Sequence, residues 1–547
     1  MTNRFSERSL KVCSEFLQTA VIIDDKLLLK NPVEPKILSE TPGRSQTSLL
    51  KDWFPKKTAI KECGLDAQAL TKSFAEHGII CGALDFKDYE NDSIAFIKTA
   101  KRADIVIIDW EMEKEKTGIN ALNLISRLLS DDLKSPQRFR LISIYTASPD
   151  LSSISAAIHD HIEQQHKLDF DKNDQELCLR YHSITIIIYA KEKHGIPDHF
   201  IGSVVNEKEL PAKLISFFSQ SVNGLLPNTA LAALTALRNN SHKLIAQFPS
   251  RLDAAYLSHK IMSAPPEEAE RQLVQLIVSH IQGILEEDNV ASQANYMAAE
   301  SWIEEQNKNG IKFRTRIHVN KSNEHAKEQL LKLLKNGVSE AKLDKKNKLF
   351  YKQISNLKHE KNKSVLSEIT AIFAEKPEEA MSLDRDLSYM LSCKTSYESS
   401  TPTLESGTIL SQTFEDGTIK YLICIQPACD CVRIPKAGRH FLFLPLLLNK
   451  DRFDICIANG QSDALTLKIN DKAFEIRTLN FTPQKAQTPI HAIKDHNQWV
   501  FTNATSEKYE WIATLKSELV LRLAHSYGKN VSRVGTTESE WQRRWAK

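Results

Sequence analysis

Ala103-Asp104-Ile105-Val106-Ile107-Ile108-Asp109-Trp110-Glu111-Met112 is the stretch that decides the fold. Four consecutive β-branched aliphatics predict a strand buried on both faces, the pattern of a parallel sheet. The run stops at Asp109. A carboxylate just past such a strand stands at the carboxyl edge of the sheet, where open α/β folds place their ligands. The arrangement recurs at Ala20-Val21-Ile22-Ile23-Asp24-Asp25. Two strands delivering Asp24, Asp25 and Asp109 to one edge would build a hard, oxygen-lined pocket suited to Mg2+.

Two more strand ends complete the constellation. Leu141-Ile142-Ser143-Ile144-Tyr145-Thr146 stops at a hydroxyl, and Ile184-Thr185-Ile186-Ile187-Ile188-Tyr189-Ala190-Lys191 stops at an ammonium. Asp-Asp, Asp, Thr and Lys in that order at successive strand ends resemble the receiver domain of two-component response regulators. Thr117-Gly118, ahead of the amphipathic positions Ile119, Leu122, Ile125 and Leu128, adds to the likeness. The resemblance implies a doubly wound, flavodoxin-like α/β domain with a parallel sheet. It implies that Asp109 takes a phosphoryl group from a partner histidine kinase, with Thr146 and Lys191 attending the phosphoryl oxygens. Asp24, Asp25, Asp109 and the backbone carbonyl of Glu111 would hold Mg2+. Such a protein is a phosphoacceptor rather than an enzyme, with self-catalysed transfer at most.

The chain departs from the usual receiver in places. Asp25 and Asp109 stand 84 positions apart, so something is inserted after the first strand. The segment Lys30 to Lys56, with Pro32, Pro35, Pro42 and Pro55, reads as a loop over the acidic pocket. Between Thr146 and Lys191, Lys167 to Phe170 and Glu176 to Arg180 flank Asp171 to Asp174 as an added hairpin. Glu192 follows Lys191 where receivers carry proline, which leaves Lys193 as the alternative lysine. Tyr189 sits nearer the lysine than the usual switch aromatic.

At 547 residues the chain has room for about three domains. With 41% hydrophobic and 26% charged residues, its composition is that of an ordinary soluble protein. A net charge of +3 implies neither a nucleic-acid nor a membrane partner. The longest apolar run, Phe441 to Leu448, is far too short to span a membrane. The first residues lack a signal-peptide core, and nine scattered cysteines fit reduced thiols, so a cytoplasmic location is expected.

Four regions follow: a receiver-like domain over 15–222, a helical connector or output region over 223–398, a small β-rich domain over 399–480, and a terminal helix and tail over 481–547. Apolar residues at three- and four-residue spacing, such as Leu273, Leu276, Ile277 and Ile281, mark the second. Output or homodimerisation is its plain reading. The basic run Lys342 to Lys363 reads as a solvated helix face. Short alternating runs such as Ile419 to Cys424 mark the β-rich domain, barrel-like or a curled sheet. The terminal helix is expected over Trp511 to His525, followed by an amphipathic basic tail from Arg533 to Trp545.

Other constellations carry less. Cys429 and Cys431 with His440 lack a second cysteine pair, so a buried, turn-forming Cys-Asp pair is favoured over zinc. His159, Glu163 and His166 share one helix face, which reads as polar surface. The enlarged receiver, helical connector and Gln426-Pro427-Ala428-Cys429-Asp430 module together resemble divergent receiver proteins of bacterial anti-phage signalling, nearest the buffer components of Detocs-type systems. That resemblance implies a protein that restrains the signal reaching a separate effector. A DNA-binding regulator and a receiver-switched effector enzyme stand as alternatives.

Overall fold

The computed structural model describes residues 4–28, 65–112, 117–132, 139–181, 183–192, 196–263, 265–308, 330–337, 370–371, 373–397, 400–449, 453–458, 464–470, 472–531 and 544–545. The proline-rich insertion, Lys193, the basic run at 342–363 and most of the basic tail lie outside those residues. Two compact units divide the chain, Met1–Asn240 with Ile284–Glu305, and Ser241–Gly283 with Gln306–Lys547.

The first unit is built on a seven-stranded sheet. Its elements run α1 (Phe5–Phe16), β1 (Thr19–Asp24), β2 (Leu27–Leu28), β3 (Leu65–Asp66), α2 (Ala67–Glu76), β4 (Ile80–Asp85), α3 (Tyr89–Ala100), β5 (Ile105–Ile108), α4 (Ile119–Asp132), β6 (Arg140–Thr146), α5 (Leu151–His166), β7 (Asp171–Asn173), β8 (Cys178–Tyr181), β9 (Ile184–Ala190), α6 (Leu210–Ser221) and α7 (Leu225–Asn239). The strand order is β4-β1-β5-β6-β9-β8-β7, and β2 pairs separately with β3. The five strands from β4 to β9 are parallel. β7 and β8 extend the edge as an antiparallel hairpin. The added hairpin is therefore present, although its first strand takes Asp171–Asn173, the residues read as its turn.

Alternation along the strands explains how one sheet serves two cores. Val21, Val106, Ile108, Ile142, Ile144, Ile186 and Ile188 point to one face, under α3, α4 and α5. Ile22, Ile105, Ile107, Leu141, Tyr145 and Ile187 point to the other, against α1, α2 and α6. This double burial is why the strands read as unbroken apolar runs. The second core also takes in Leu231 of α7. Asn228 on that helix donates to Ser9 Oγ of α1 at 2.8 Å, and Arg238 reaches Asp104 at 2.8 Å.

The second unit combines helices with an antiparallel sheet. Part of the helical middle region falls here, including Asp253–Met262 and Ala380–Ser392. The nine strands are β10 (Thr408–Thr413), β11 (Ile419–Cys424), β12 (Arg439–Leu448), β13 (Ile455–Ile457), β14 (Leu465–Ile469), β15 (Arg477–Phe481), β16 (Ile493–Asp495), β17 (Gln498–Thr502) and β18 (Lys508–Thr514). Their order is β13-β14-β12-β11-β10-β18-β17-β16, with β15 also on β12. The sheet thus runs well past residue 480, where the sequence reading ends it. Trp511 lies in β18 and not at a helix start; the terminal helix spans Ser517–Val531. Tyr509 and Trp511 face one core and Ala513 the other, across a register shift at Ile409/Leu410, and pairing with β10 settles what a short apolar run leaves ambiguous. No helix among the described residues is long and apolar enough to cross a membrane.

Candidate functional site

Parallel register brings the ionisable strand ends together. Ile23 pairs with Ile108, so Asp24 and Asp109 emerge side by side. The Asp109 N–H donates to the Ile23 carbonyl at 3.0 Å, which continues the ladder one residue past β5. On the far side Thr146 pairs with Ala190, and the Lys191 N–H donates to the Thr146 carbonyl at 2.7 Å. Each side chain is held by backbone that cannot move without breaking the sheet.

The side chains converge as the register demands. Oxygens of Asp24, Asp25 and Asp109 all lie within 4.8 Å of one another. The Lys191 ammonium sits between two of them, 2.6 Å from Asp24 Oδ2 and 3.3 Å from Asp109 Oδ1. Asp24 Oδ1 accepts the Lys26 N–H at 2.7 Å, and Asp109 Oδ1 accepts the Trp110 N–H at 3.0 Å. Thr146 is fully buried, its Oγ1 accepting the Ser148 N–H at 3.1 Å. Asp24, Asp25, Asp109 and Lys191 converge in one pocket, and Thr146 ends the strand beside the one that leads to Lys191. The Glu111 carboxylate is not one of the clustered acids.

Among the described residues, Lys191 is the ammonium placed between Asp24 and Asp109. Burial pushes the Asp109 carboxyl up to about 7 from an ordinary 3.8, against the pull of Lys191 and with the push of Asp24. For Lys191 burial works to lower the pKa, but the Asp109 and Asp24 carboxylates outweigh it and hold the ammonium above its usual value. Both Asp24 and Asp109 are buried, and the closer ammonium contact goes to Asp24. Hard carboxylate oxygens gathered this closely fit a small divalent cation such as Mg2+.

Packing around the acids adds features that the strand-end reading did not single out. Trp110 is buried and lies against Gly118, whose φ is +74°; a Cβ there would run into the indole. Tyr145, next to Thr146, donates its hydroxyl to the Val205 carbonyl at 2.8 Å, and its ring centroid lies 5.6 Å from Lys191 Nζ. Asp85 ends β4 opposite Asp24 but its carboxylate pairs with Lys87. Trp110 and Gly118 were visible as residues, but their contact follows from loop geometry and not from spacing.

The other candidate clusters fall apart or stay superficial. His159, Asp160 and Glu163 gather on α5, while His166 turns away to Ser126 Oγ at 2.7 Å. Cys429 is exposed; Cys431 is buried and donates to the Pro427 carbonyl at 3.4 Å. Asp430 takes Arg439 Nη1 at 2.8 Å and Gln426 Nε2 at 3.3 Å, and its N–H closes a turn on Pro427. The turn is present, but Cys429 is exposed and Asp430 half-buried, so the pair is not the buried one expected.

No curated protein and no solved structure matches this chain. Residues 16–195, less than half of the chain but including every member of the acid pocket, match the family model of the response receiver domain, which supports a response-regulator-like phosphoacceptor role for this part.

Proposed function

We propose that Asp109 is the phosphoacceptor, taking a phosphoryl group from the phosphohistidine of a partner kinase in a Mg2+-dependent transfer. The convergence of Asp24, Asp25 and Asp109 with Lys191 at one sheet edge carries this reading. One Asp109 oxygen attacks phosphorus as the bond from phosphorus to the donor nitrogen breaks, giving an acyl phosphate and a free imidazole. Asp24 and Asp25, with the Glu111 carbonyl, would hold the cation, which when bound offsets charge on the carboxylate and phosphoryl oxygens. Lys191, already at Asp109, pairs with a phosphoryl oxygen, and the Thr146 hydroxyl donates to another. Burial of these groups keeps water from the acyl phosphate and strengthens each contact.

A receiver implies a histidine kinase partner in general. The composite likeness to anti-phage receivers supports a finer proposal, that this chain buffers a defence signal by drawing phosphoryl groups away from a separate effector. The test uses the full chain, a small phosphodonor such as acetyl phosphate, and Mg2+. Intact mass should rise by one phosphoryl group in the wild type and not in Asp109→Ala, and chelation should abolish the gain. A gain of equal size in Asp109→Ala refutes the assignment.

A further inference from the structure

The Lys191 side chain has a neighbour that the acid pocket alone does not explain. Tyr145 is 2% exposed, on the strand beside Lys191's own, and its ring centroid lies 5.6 Å from the ammonium. That is inside the range at which a cation is attracted by an aromatic face. The ring is not free to turn away, because its hydroxyl donates to the Val205 carbonyl at 2.8 Å. Val205 is itself fixed: its N–H donates to the Ala190 carbonyl at 2.9 Å, and Val204 bridges Ala190 in parallel. The chain that leaves β9 through Lys191 therefore returns to grip the tyrosine that faces Lys191.

Lysine is a flexible four-carbon stem carrying a compact charge, and holding its head at one point costs side-chain entropy. The two carboxylates hold the ammonium by charge. We propose that Tyr145 is a positioning residue for Lys191, its anchored ring adding an aromatic face to that hold. The phenol is suited to this task. Burial, with Glu207 and the neighbouring acids, raises its pKa, so the hydroxyl stays a donor to Val205. The assignment uses the phosphoacceptor reading for its consequence in catalysis, but the contact itself does not depend on it.

The experiment separates the two. In the full chain, one, two or three ring fluorines on Tyr145 keep the hydroxyl that anchors the ring and drain its face of negative charge with little change of shape. Two readouts are followed: acylation of the Lys191 amine by limiting acetic anhydride, scored by peptide mapping, and phosphoryl uptake from acetyl phosphate with Mg2+. Lys191 acylation should rise stepwise along the series, about five- to tenfold by the trifluoro variant, as a lost cation–π contact would release it. Maximal uptake should fall by a similar factor while Mg2+ affinity stays constant or tightens, because the ammonium and the cation share Asp24 and Asp109. Flat Lys191 reactivity along the series overturns the inference, as does loss of Mg2+ affinity in step with uptake, which would mean general damage. Failure of the wild type to take up phosphate would refute the phosphoacceptor reading, and the acylation series would still decide the role of Tyr145.

Discussion

Replacing Asp109 by asparagine in the metal-free protein should stabilise the receiver part at alkaline pH and not at acid pH. The substitution keeps the shape and the Oδ1 that accepts the Trp110 N–H, and it removes the buried charge. The folded carboxyl is pushed from 3.8 up to about 7. A group raised in this way contributes stability that is complete below the unfolded value and is lost as pH climbs through the folded one. A displacement of about three units caps the loss at about 4 kcal/mol, and about 2–3 kcal/mol of it falls between pH 5 and pH 8. Asparagine does not titrate, so the advantage of Asp109→Asn over wild type should widen by that amount across the window. Hydrogen–deuterium exchange of the β1 and β5 amides in the presence of a chelator measures the opening free energy in the intact chain. Excess Mg2+ should flatten the wild-type curve, because a bound cation favours the ionised acid. Parallel pH curves for the two proteins under chelation would refute the reasoning.

Much of this pocket was legible from strand ends alone. β1, β5, β6 and β9 are buried on both faces, so each wrote itself as an apolar run, and the polar residue ending each run marked the sheet edge. β4 left a weaker trace: it is an edge strand, half exposed, and Gly82 breaks its short apolar run of small residues. Trp511 shows the opposite difficulty, since Trp511, Ile512, Leu515 and Leu519 satisfy helical spacing until β10 claims the first two for a strand. Partnerships set by folding were not readable at all. Nothing in the order of residues says that Lys191 divides itself between Asp24 and Asp109, or that Tyr145 reaches Val205 across 60 positions.

Other outcomes follow from single contacts. Gly118→Ala sets a methyl group against the Trp110 ring at a left-handed φ, so it should cost about 2–3 kcal/mol and slow phosphoryl uptake, read by thermal denaturation and by uptake rate. Arg140, fully buried, forks onto Asp132 and also donates to the Ala100 carbonyl at 2.6 Å; Arg140→Met should cost about 3–5 kcal/mol by stranding the carboxylate, and an unaltered denaturation midpoint would count against it. Lys191→Met removes the only ammonium between Asp24 and Asp109 among the described residues, so Mg2+ should bind at least as tightly while phosphoryl uptake falls by about tenfold or more, measured by calorimetry and intact mass.

The most direct measurement traps the acyl phosphate where it forms. Wild-type chain is phosphorylated with acetyl phosphate and Mg2+, reduced with borohydride, digested and mapped by mass spectrometry. Homoserine in place of Asp109, dependent on phosphodonor and absent under chelation, is the expected result. Homoserine at Asp24 or Asp25, or phosphate retained on a residue that borohydride does not reduce, would contradict the account.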